Sequence, residues 1–348
     1  MKKLLRKFRK KSDVAPSRIT NDTVAEHRER ILAGGRRFKY PIQYARHRLV
    51  FNAILISIVT LILLLALGWW QLYSVQNTTD FIYRVAKVLN LPVASVDGQP
   101  ALYSDYLMKY RSSIHYLEQK EQVSLKTDDG KRQIAFIKQK AIEDTVADTY
   151  AIKLAKQLQV SVTDSELETF LKLQRQSSNG EVSQQTYDAV VLDYYNWSPD
   201  EYRYATKNKL LRQKVEYAVD QSATKESDVI AAQLTSGGVD MKLVTDAATA
   251  TGTAKVVYGA SGWVPKTNQD GGLALEASKL QKLQISPSIK STMGDGYYFV
   301  RLVDTKDTLV SYEYIHIPLT TFADNLLSLE KDGKVKQYIN VPKTVPTQ

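Results

Sequence analysis

The chain has 348 residues, and 47 lysines and arginines against 37 acidic residues give a net charge of +10. The excess is local: residues 1–48 hold 15 basic and 4 acidic side chains, the other 300 hold 32 and 33. That excludes a basic globular nucleic-acid-binding domain, and the absence of cysteine excludes disulfide scaffolds, thiol nucleophiles and cysteine zinc sites.

The chain opens on a basic tail, residues 1–48, with Lys2, Lys3, Arg6, Lys7, Arg9, Lys10 and Lys11 at its start and Arg36, Arg37 and Lys39 further on. It reads as a topology signal that adds weak contact with anionic lipid. From Leu49 to Thr79 no residue is charged, and the 22 residues from Leu49 to Trp70 are nearly all apolar. As a helix that run is roughly 30 Å long, the thickness of a bilayer core. Arg46 and Arg48 flank one end, and Trp69, Trp70 and Tyr73 stand where an interfacial aromatic belt would. A transmembrane helix over 49–73 is therefore expected, with the N-terminus cytoplasmic and residues 75–348 outside the membrane. The alternatives are a cleaved signal peptide and a buried core helix. A signal peptide has a shorter apolar region and a small-residue cleavage site, and core helices rarely run so long without a charge.

Residues 74–90 read as a stalk with a short helix from Asp80 to Asn90. Val93, Ser95 and Asp97 then alternate with Ala94 and Val96, and Asp97-Gly98 is a turn dipeptide, so one short strand leads into a helix over about 104–120. Ile134, Ile137, Ala141, Ile142, Val146, Tyr150, Leu154 and Leu158 recur at three- and four-residue steps and predict a long helix over 131–158. Thr163 and Glu166 form a capping box for the next helix, which Asn179-Gly180 is expected to stop. Ser198 and Glu201 repeat the device with Pro199 at the first helical position, and that helix runs through Leu210, Leu211, Val215 and Val219. Residues 91–220 are thus nearly all helical. Asp128-Asp129 read as solvated loop residues.

Three stretches of this region carry a resemblance: Val93 to Pro100, Ala151 to Leu167, and Tyr194 to Lys214. In that order they resemble the opening strand, the helix-to-capping-box junction and the closing helix of the SurA/PrsA family of exported chaperones, over about 130 residues. The resemblance implies a helical module, 91–220, that cradles unfolded polypeptide, followed by a parvulin-type prolyl isomerase domain.

The next stretch, 221–319, fits that order. Helices are expected over 226–235, closed by Gly237-Gly238, and over 240–250. Tyr258 to Pro265 is similar to the parvulin glycine–tryptophan loop, keeping Gly259, Gly262 and Trp263; Leu280 to Ile289 and Gly296 to Asp304 resemble the segments that follow. The resemblance implies a pocket with two histidines, a cysteine or aspartate, a methionine or leucine, and a phenylalanine. Here the closing-strand histidine is Tyr298, the phenylalanine position is Ser278, and no histidine-bearing strand precedes Glu226. The barrier to prolyl rotation is about 18–20 kcal/mol, and a pocket so stripped has little to lower it with. His316-Ile317, in the predicted strand 310–319, resembles the missing first strand, so a permuted arrangement is one reading and an ordinary linking strand the other.

A helix over 321–329 and a strand over 334–341 follow, then a loose tail from Pro342. By the same resemblance, residues 320–342 return to complete the helical module at 93–97. The fold class expected is mainly α with an α+β part: one transmembrane helix, a SurA-like helical module and a parvulin-like domain.

The aromatic cluster Tyr187, Tyr194, Tyr195, Trp197, Tyr202 and Tyr204 reads as a peptide-binding wall with some rings in the core; Trp263 joins the peptide-binding candidates. Tyr298, Ser278 and His316 mark the degenerate catalytic positions. His115 reads as an ordinary packed histidine. No Walker loop, metalloprotease motif or catalytic triad occurs, and neither metal nor cofactor is expected. The function expected is a membrane-anchored extracytoplasmic chaperone for unfolded or newly exported polypeptides, in a bacterial envelope. The alternatives are an active prolyl isomerase and a structural subunit of a membrane complex. An open apolar groove between 100–220 and 320–342 would favour the chaperone, and a closed, polar surface there would count heavily against it.

Overall fold

The computed structural model describes residues 20–39, 41–177, 180–235, 240–251 and 255–342. The basic residues before Thr20, Asn179, the Gly237-Gly238 stop and the tail beyond Pro342 lie outside these. The chain divides into two compact units, Met1–Gln71 and Leu72–Gln348.

The first unit contains α1 (Asn21–Lys39) and α2 (Pro41–Trp69); a π-helical turn, Trp70–Ser74, continues from α2. His47–Ser74 is long and apolar enough to cross a membrane, and none of its apolar window is packed inside the protein. Leucines and isoleucines are exposed along the helix, among them Leu55, Ile58, Leu61, Ile62 and Leu65. A helix apolar all round has no polar side to turn to water.

The second unit begins with α3 (Asp80–Leu89) and a hairpin, β1 (Pro92–Val96) and β2 (Gln99–Leu102). Its turn places Asp97 at φ 45° and Gly98 at φ 86°, the doubly left-handed geometry that matches strand twist in a two-residue turn. The chain therefore makes two strands here, not one. Then come α4 (Tyr103–Gln119), α5 (Asp128–Leu158), α6 (Asp164–Gln174), a two-residue ribbon β3 (Gln176–Ser177) and β4 (Gly180–Glu181), α7 (Gln184–Tyr195) and α8 (Pro199–Val219).

Local chemistry sets these boundaries. Asp128 and Asp129 start α5 rather than lying in a loop. Thr127 caps the helix by accepting from the Gly130 amide at 3.0 Å. The two carboxylates sit at the positive end of the helix dipole and pair with Lys131 and Arg132. The capping boxes at Thr163–Glu166 and Ser198–Glu201 are both formed. Glu166 is also held by Lys214, and these hydrogen bonds bring its carboxyl down to about 2. The helix α6 ends at Gln174, short of the expected stop, and its chain turns into the β3–β4 ribbon.

The remaining elements are α9 (Gln221–Leu234), α10 (Met241–Thr251), β5 (Val257–Pro265), α11 (Leu273–Ala277), β6 (Ile289–Lys290), β7 (Gly296–Lys306), β8 (Leu309–Pro318), α12 (Thr321–Lys331) and β9 (Val335–Gln337). Residues 258–265 form a strand rather than a loop, bulged between Ala260 and Trp263. The four strands β5-β8-β7-β6 form an antiparallel sheet with β8 inside it. Along its length β8 pairs with β7, Tyr297 facing Ile317 and Leu302 facing Tyr312. The last strand, β9, is shorter than expected and joins β1, in the order β2-β1-β9.

The helical part has a main core, and a smaller cluster of Val162, Leu167 and Leu171 with Leu210 and Leu211 packed against it. Val93, Val96, Tyr103, Tyr106, Leu107, Ile142, Val146 and Val215 are buried in the main core, and Phe322 of α12 and Ile339 close it. Burial of each large apolar side chain stabilises by about 1.5–3 kcal/mol. Phe322 packs on Tyr150 with ring centroids 5.1 Å apart. The sheet has an apolar cluster on each face, one under α9 and α10 and one under α11. Asp220 ties the chain together between α8 and α9. One oxygen accepts from the Ala223 amide at 3.0 Å and Ser222 Oγ at 2.6 Å, the other from the Thr320 and Thr321 amides at 2.7 and 3.0 Å.

Candidate functional site

A cleft of about 1110 Å³ lies among α4, α5, α6, α7 and α8. Its construction starts with three residues. Asn196 ends α7 in the left-handed conformation, its amide donating to the Leu192 carbonyl. Trp197 follows, and Ser198 already caps α8. So short a connection carries Tyr195, Trp197 and Tyr202 into one ring cluster. Tyr195 stacks on Trp197 at 5.3 Å, and Tyr202 lies 6.5 Å from Tyr195 and 6.4 Å from Trp197. The Trp197 indole N–H donates to the Met108 carbonyl at 3.3 Å, which fixes the ring against α4. The cap is itself tied down. Burial would raise the Glu201 carboxyl, but hydrogen bonds from Tyr83 and Ser198 outweigh it and leave the carboxyl below its usual range.

Four of the six peptide-binding candidates line this cleft: Tyr194, Tyr195, Trp197 and Tyr202. Tyr187 backs it, its hydroxyl 2.8 Å from that of Tyr202. Trp263 is elsewhere, half-exposed on β5. Tyr204 turns aside and donates to Asp105 at 3.1 Å. The rest of the lining aromatics were not read from the sequence: Tyr116 of α4, whose ring centroid is 6.3 Å from that of Tyr194, Phe136 of α5 and Phe170 of α6. Phe136 did carry a signal, since it stands off the apolar stripe of its helix, and 57% of it is exposed. Tyr194 and Tyr195 remain over 40% exposed, so the rings face open solvent.

One end of the cleft is charged. Asp148 accepts from Lys109 and, at 2.9 Å, from Arg212. Glu216 lies one turn beyond Arg212, 3.7 Å from its Nε. Burial raises the Glu216 carboxyl to about 7; Arg212 opposes the rise and Asp148 adds to it. Burial also raises the phenols of Tyr195 and Tyr202, which stay neutral hydrogen-bond donors. Such a cleft offers flat apolar rings, polar handles and a balanced ionic end. It holds no nucleophile–base pair. Residues 320–342 do not line this cleft: α12 packs on the core, and among the described residues none after Arg212 lines it.

The degenerate catalytic positions lie on the sheet. Tyr298 of β7 and His316 of β8 are cross-strand partners. The Tyr298 hydroxyl donates to Asp295 at 2.6 Å, and His316 Nε2 is 3.1 Å from the Asp295 carbonyl oxygen. Burial and then the Asp295 bond raise the Tyr298 phenol above its ordinary range. Ser278 is not with them; it caps α11, its hydroxyl donating to the Leu275 carbonyl at 2.7 Å. His115 on α4 has Nε2 2.9 Å from the Asp193 carbonyl oxygen. Among the described residues no cluster of histidine and carboxylate side chains could hold a metal ion.

A family model described as the SurA-like N-terminal domain matches residues 43–216, half of the chain. No curated protein matches. Among the solved structures, a similar one comes from work on the virulence factor PEB4 and the periplasmic protein Cj1289, two SurA-like chaperones of Campylobacter jejuni. It is 15% identical with a TM-score of 0.25, over 70% of this chain and 91% of that one.

Proposed function

Because the chain belongs to the family of the SurA-like N-terminal domain, we propose that it is a chaperone that holds unfolded polypeptide in the aromatic cleft between α4 and α8. The observation that carries this reading is the cleft itself, which lies within the stretch matched by the family model. Stacked rings accept apolar side chains of many shapes, and their phenol hydroxyls and the indole serve backbone groups. Shallow, open binding of that kind suits exchange rather than a tight grip. Trp263 offers a second exposed ring on the sheet.

The chain works at a membrane: residues 49–73, within the apolar helix His47–Ser74, span it once, residues 1–48 stay in the cytoplasm and residues 75–348 face outward, in a bacterial envelope. The length and apolar surface of the helix support this, as does the basic excess before it. Lys and Arg near an anionic surface add about 1 kcal/mol each.

Residues 221–319 are a parvulin-like domain without isomerase activity, in which β8 takes the place of the missing first strand. The pairing of β8 with β7 supports that arrangement. The commitment of both Tyr298 and His316 to Asp295 supports the loss of activity, since neither group is left to meet a prolyl bond. Two assays on the full chain in nanodiscs test the whole. Suppression of aggregation of an unfolded model protein, followed by light scattering, is expected at stoichiometric ratio; no suppression rejects the chaperone reading. In a protease-coupled assay on a prolyl tetrapeptide, the rate is expected at background, and clear turnover makes the protein an isomerase.

A further inference from the structure

One face of α3 leaves two large apolar side chains exposed beside an arginine. This helix, Asp80–Leu89, packs Ile82 and Ala86 inward, yet Phe81 is 72% exposed and Val88 78%. Phe81, Arg84 and Val88 stand three and seven residues apart, which puts them on one face. The Lys87 ammonium lies 3.8 Å from Glu201, and Arg111 pairs with Asp80. Arg84 forms no ion pair among the described residues and is exposed. Two large apolar side chains flanking a free guanidinium make a poor water-facing surface. They make a good interfacial one, with the rings and methyls among acyl chains and the guanidinium at phosphate level.

Chain length says which surface covers the face. The candidate span ends at Ser74 and α3 starts at Asp80. Five intervening residues reach at most about 18 Å fully extended, so α3 cannot leave the neighbourhood of the bilayer that holds the span. We propose that α3 lies on the outer leaflet, with Phe81 and Val88 in the interfacial zone and Arg84 on lipid phosphate. The inference rests on the reading of His47–Ser74 as a membrane span.

The chain has no cysteine, so single labels can be placed at will. Full-length protein in phosphatidylcholine nanodiscs would carry an environment-sensitive fluorophore at Phe81→Cys or Val88→Cys. Leu61→Cys serves as the reference inside the span and Gln185→Cys, on α7, as the reference in water. Nitroxide lipids labelled near the headgroup are expected to quench the labels at 81 and 88 at least twofold more than the label at 185, and nitroxide lipids labelled deep in the acyl chain to quench the label at 61. If the label at 61 is quenched but those at 81 and 88 behave like 185, α3 stands in water and the inference fails while the span stands. If 81 and 88 are shielded from aqueous iodide yet untouched by nitroxide lipids, a second copy of the chain covers the face, and the lipid assignment is overturned. If the label at 61 is not quenched, the span and the inference fall together.

Discussion

Tyr298 and His316 face each other across β7 and β8 with their rings stacked, centroids 4.3 Å apart and planes 8° from parallel. Gly296 makes this pair possible. It sits at φ +150°, and a Cβ there would stand 2.1 Å from the Ile317 carbonyl oxygen and 2.9 Å from His316 Nε2. The backbone oxygen cannot step aside without breaking the β7–β8 ladder.

Gly296→Ala is therefore expected to destabilise the protein by about 2–4 kcal/mol, through a forced strand shift and an unfavourable φ. Urea denaturation followed by tyrosine and tryptophan fluorescence measures it. Gly262→Ala is a mild comparison, since its φ is +61° but open space surrounds the site; it is expected to cost about 1 kcal/mol. Equal effects at the two positions would remove the steric argument.

In the cleft, each stacked aromatic pair contributes about 0.5–1.5 kcal/mol beyond simple burial. Trp197→Ala and Tyr195→Ala are each expected to weaken binding of an unfolded client about 2–10-fold. Fluorescence anisotropy with a labelled unfolded polypeptide reads the change. Far-UV circular dichroism of Tyr195→Ala should stay as in the parent, because Tyr195 is already substantially exposed. Unchanged affinity in both variants would place the client elsewhere.

What the sequence made legible was the chemistry that acts between near neighbours. Thr163 with Glu166 and Ser198 with Glu201 announce their helix starts because a capping box is complete within four residues. Half of the cleft was readable for the same reason, since Tyr194, Tyr195, Trp197 and Tyr202 flank one tight connection. Phe136 and Phe170 were not, because they come from helices whose adjacency only tertiary packing decides. The place of α12 was hidden for a related reason. Phe322, Leu326 and Leu329 form a clear stripe, but a stripe does not say whether it walls a groove or fills a core; here it fills the core beside Tyr150. The second hairpin strand was hidden by Pro100, which is tolerated because β2 is an edge strand.

Asp220 joins three stretches of chain through two oxygens, and burial leaves it 1% exposed. That burial works against the charge, but hydrogen bonds from Ser222 and from the amides of Thr321, Ala223 and Thr320 outweigh it and bring the carboxyl to about 2. Asp220→Ala strips the caps from α9 and from the start of α12, leaving three backbone amides without this partner, of which that of Ala223 is buried. The expected loss is about 2–4 kcal/mol, measured by urea denaturation. Asp220→Asn keeps the shape and some of the acceptors, and should lose about half as much. A loss within 0.5 kcal/mol for the alanine variant, the size of an ordinary surface substitution, would show that Asp220 does not staple these segments.

The stability carried by Glu216 depends on pH. Its carboxyl is held up to about 7, first by burial, with Arg212 opposing and Asp148 reinforcing. In the unfolded chain a glutamate titrates near pH 4.3, so the folded protein binds this proton more tightly. The stability linked to the proton is present in full below about pH 4.3 and is lost as pH rises through about 7. With the side chain 21% exposed, the loss is on the order of 1–2 kcal/mol at pH 8. Glu216→Gln cannot ionise and is expected to flatten this part of the curve, making the variant more stable than the parent at pH 8 and close to it at pH 4. Urea midpoints at half-unit steps from pH 4 to pH 8 give the comparison. If the variant is instead less stable than the parent at pH 8, the carboxylate is a net stabilising partner of Arg212, and the ionic end of the cleft is a salt bridge rather than a buried acid.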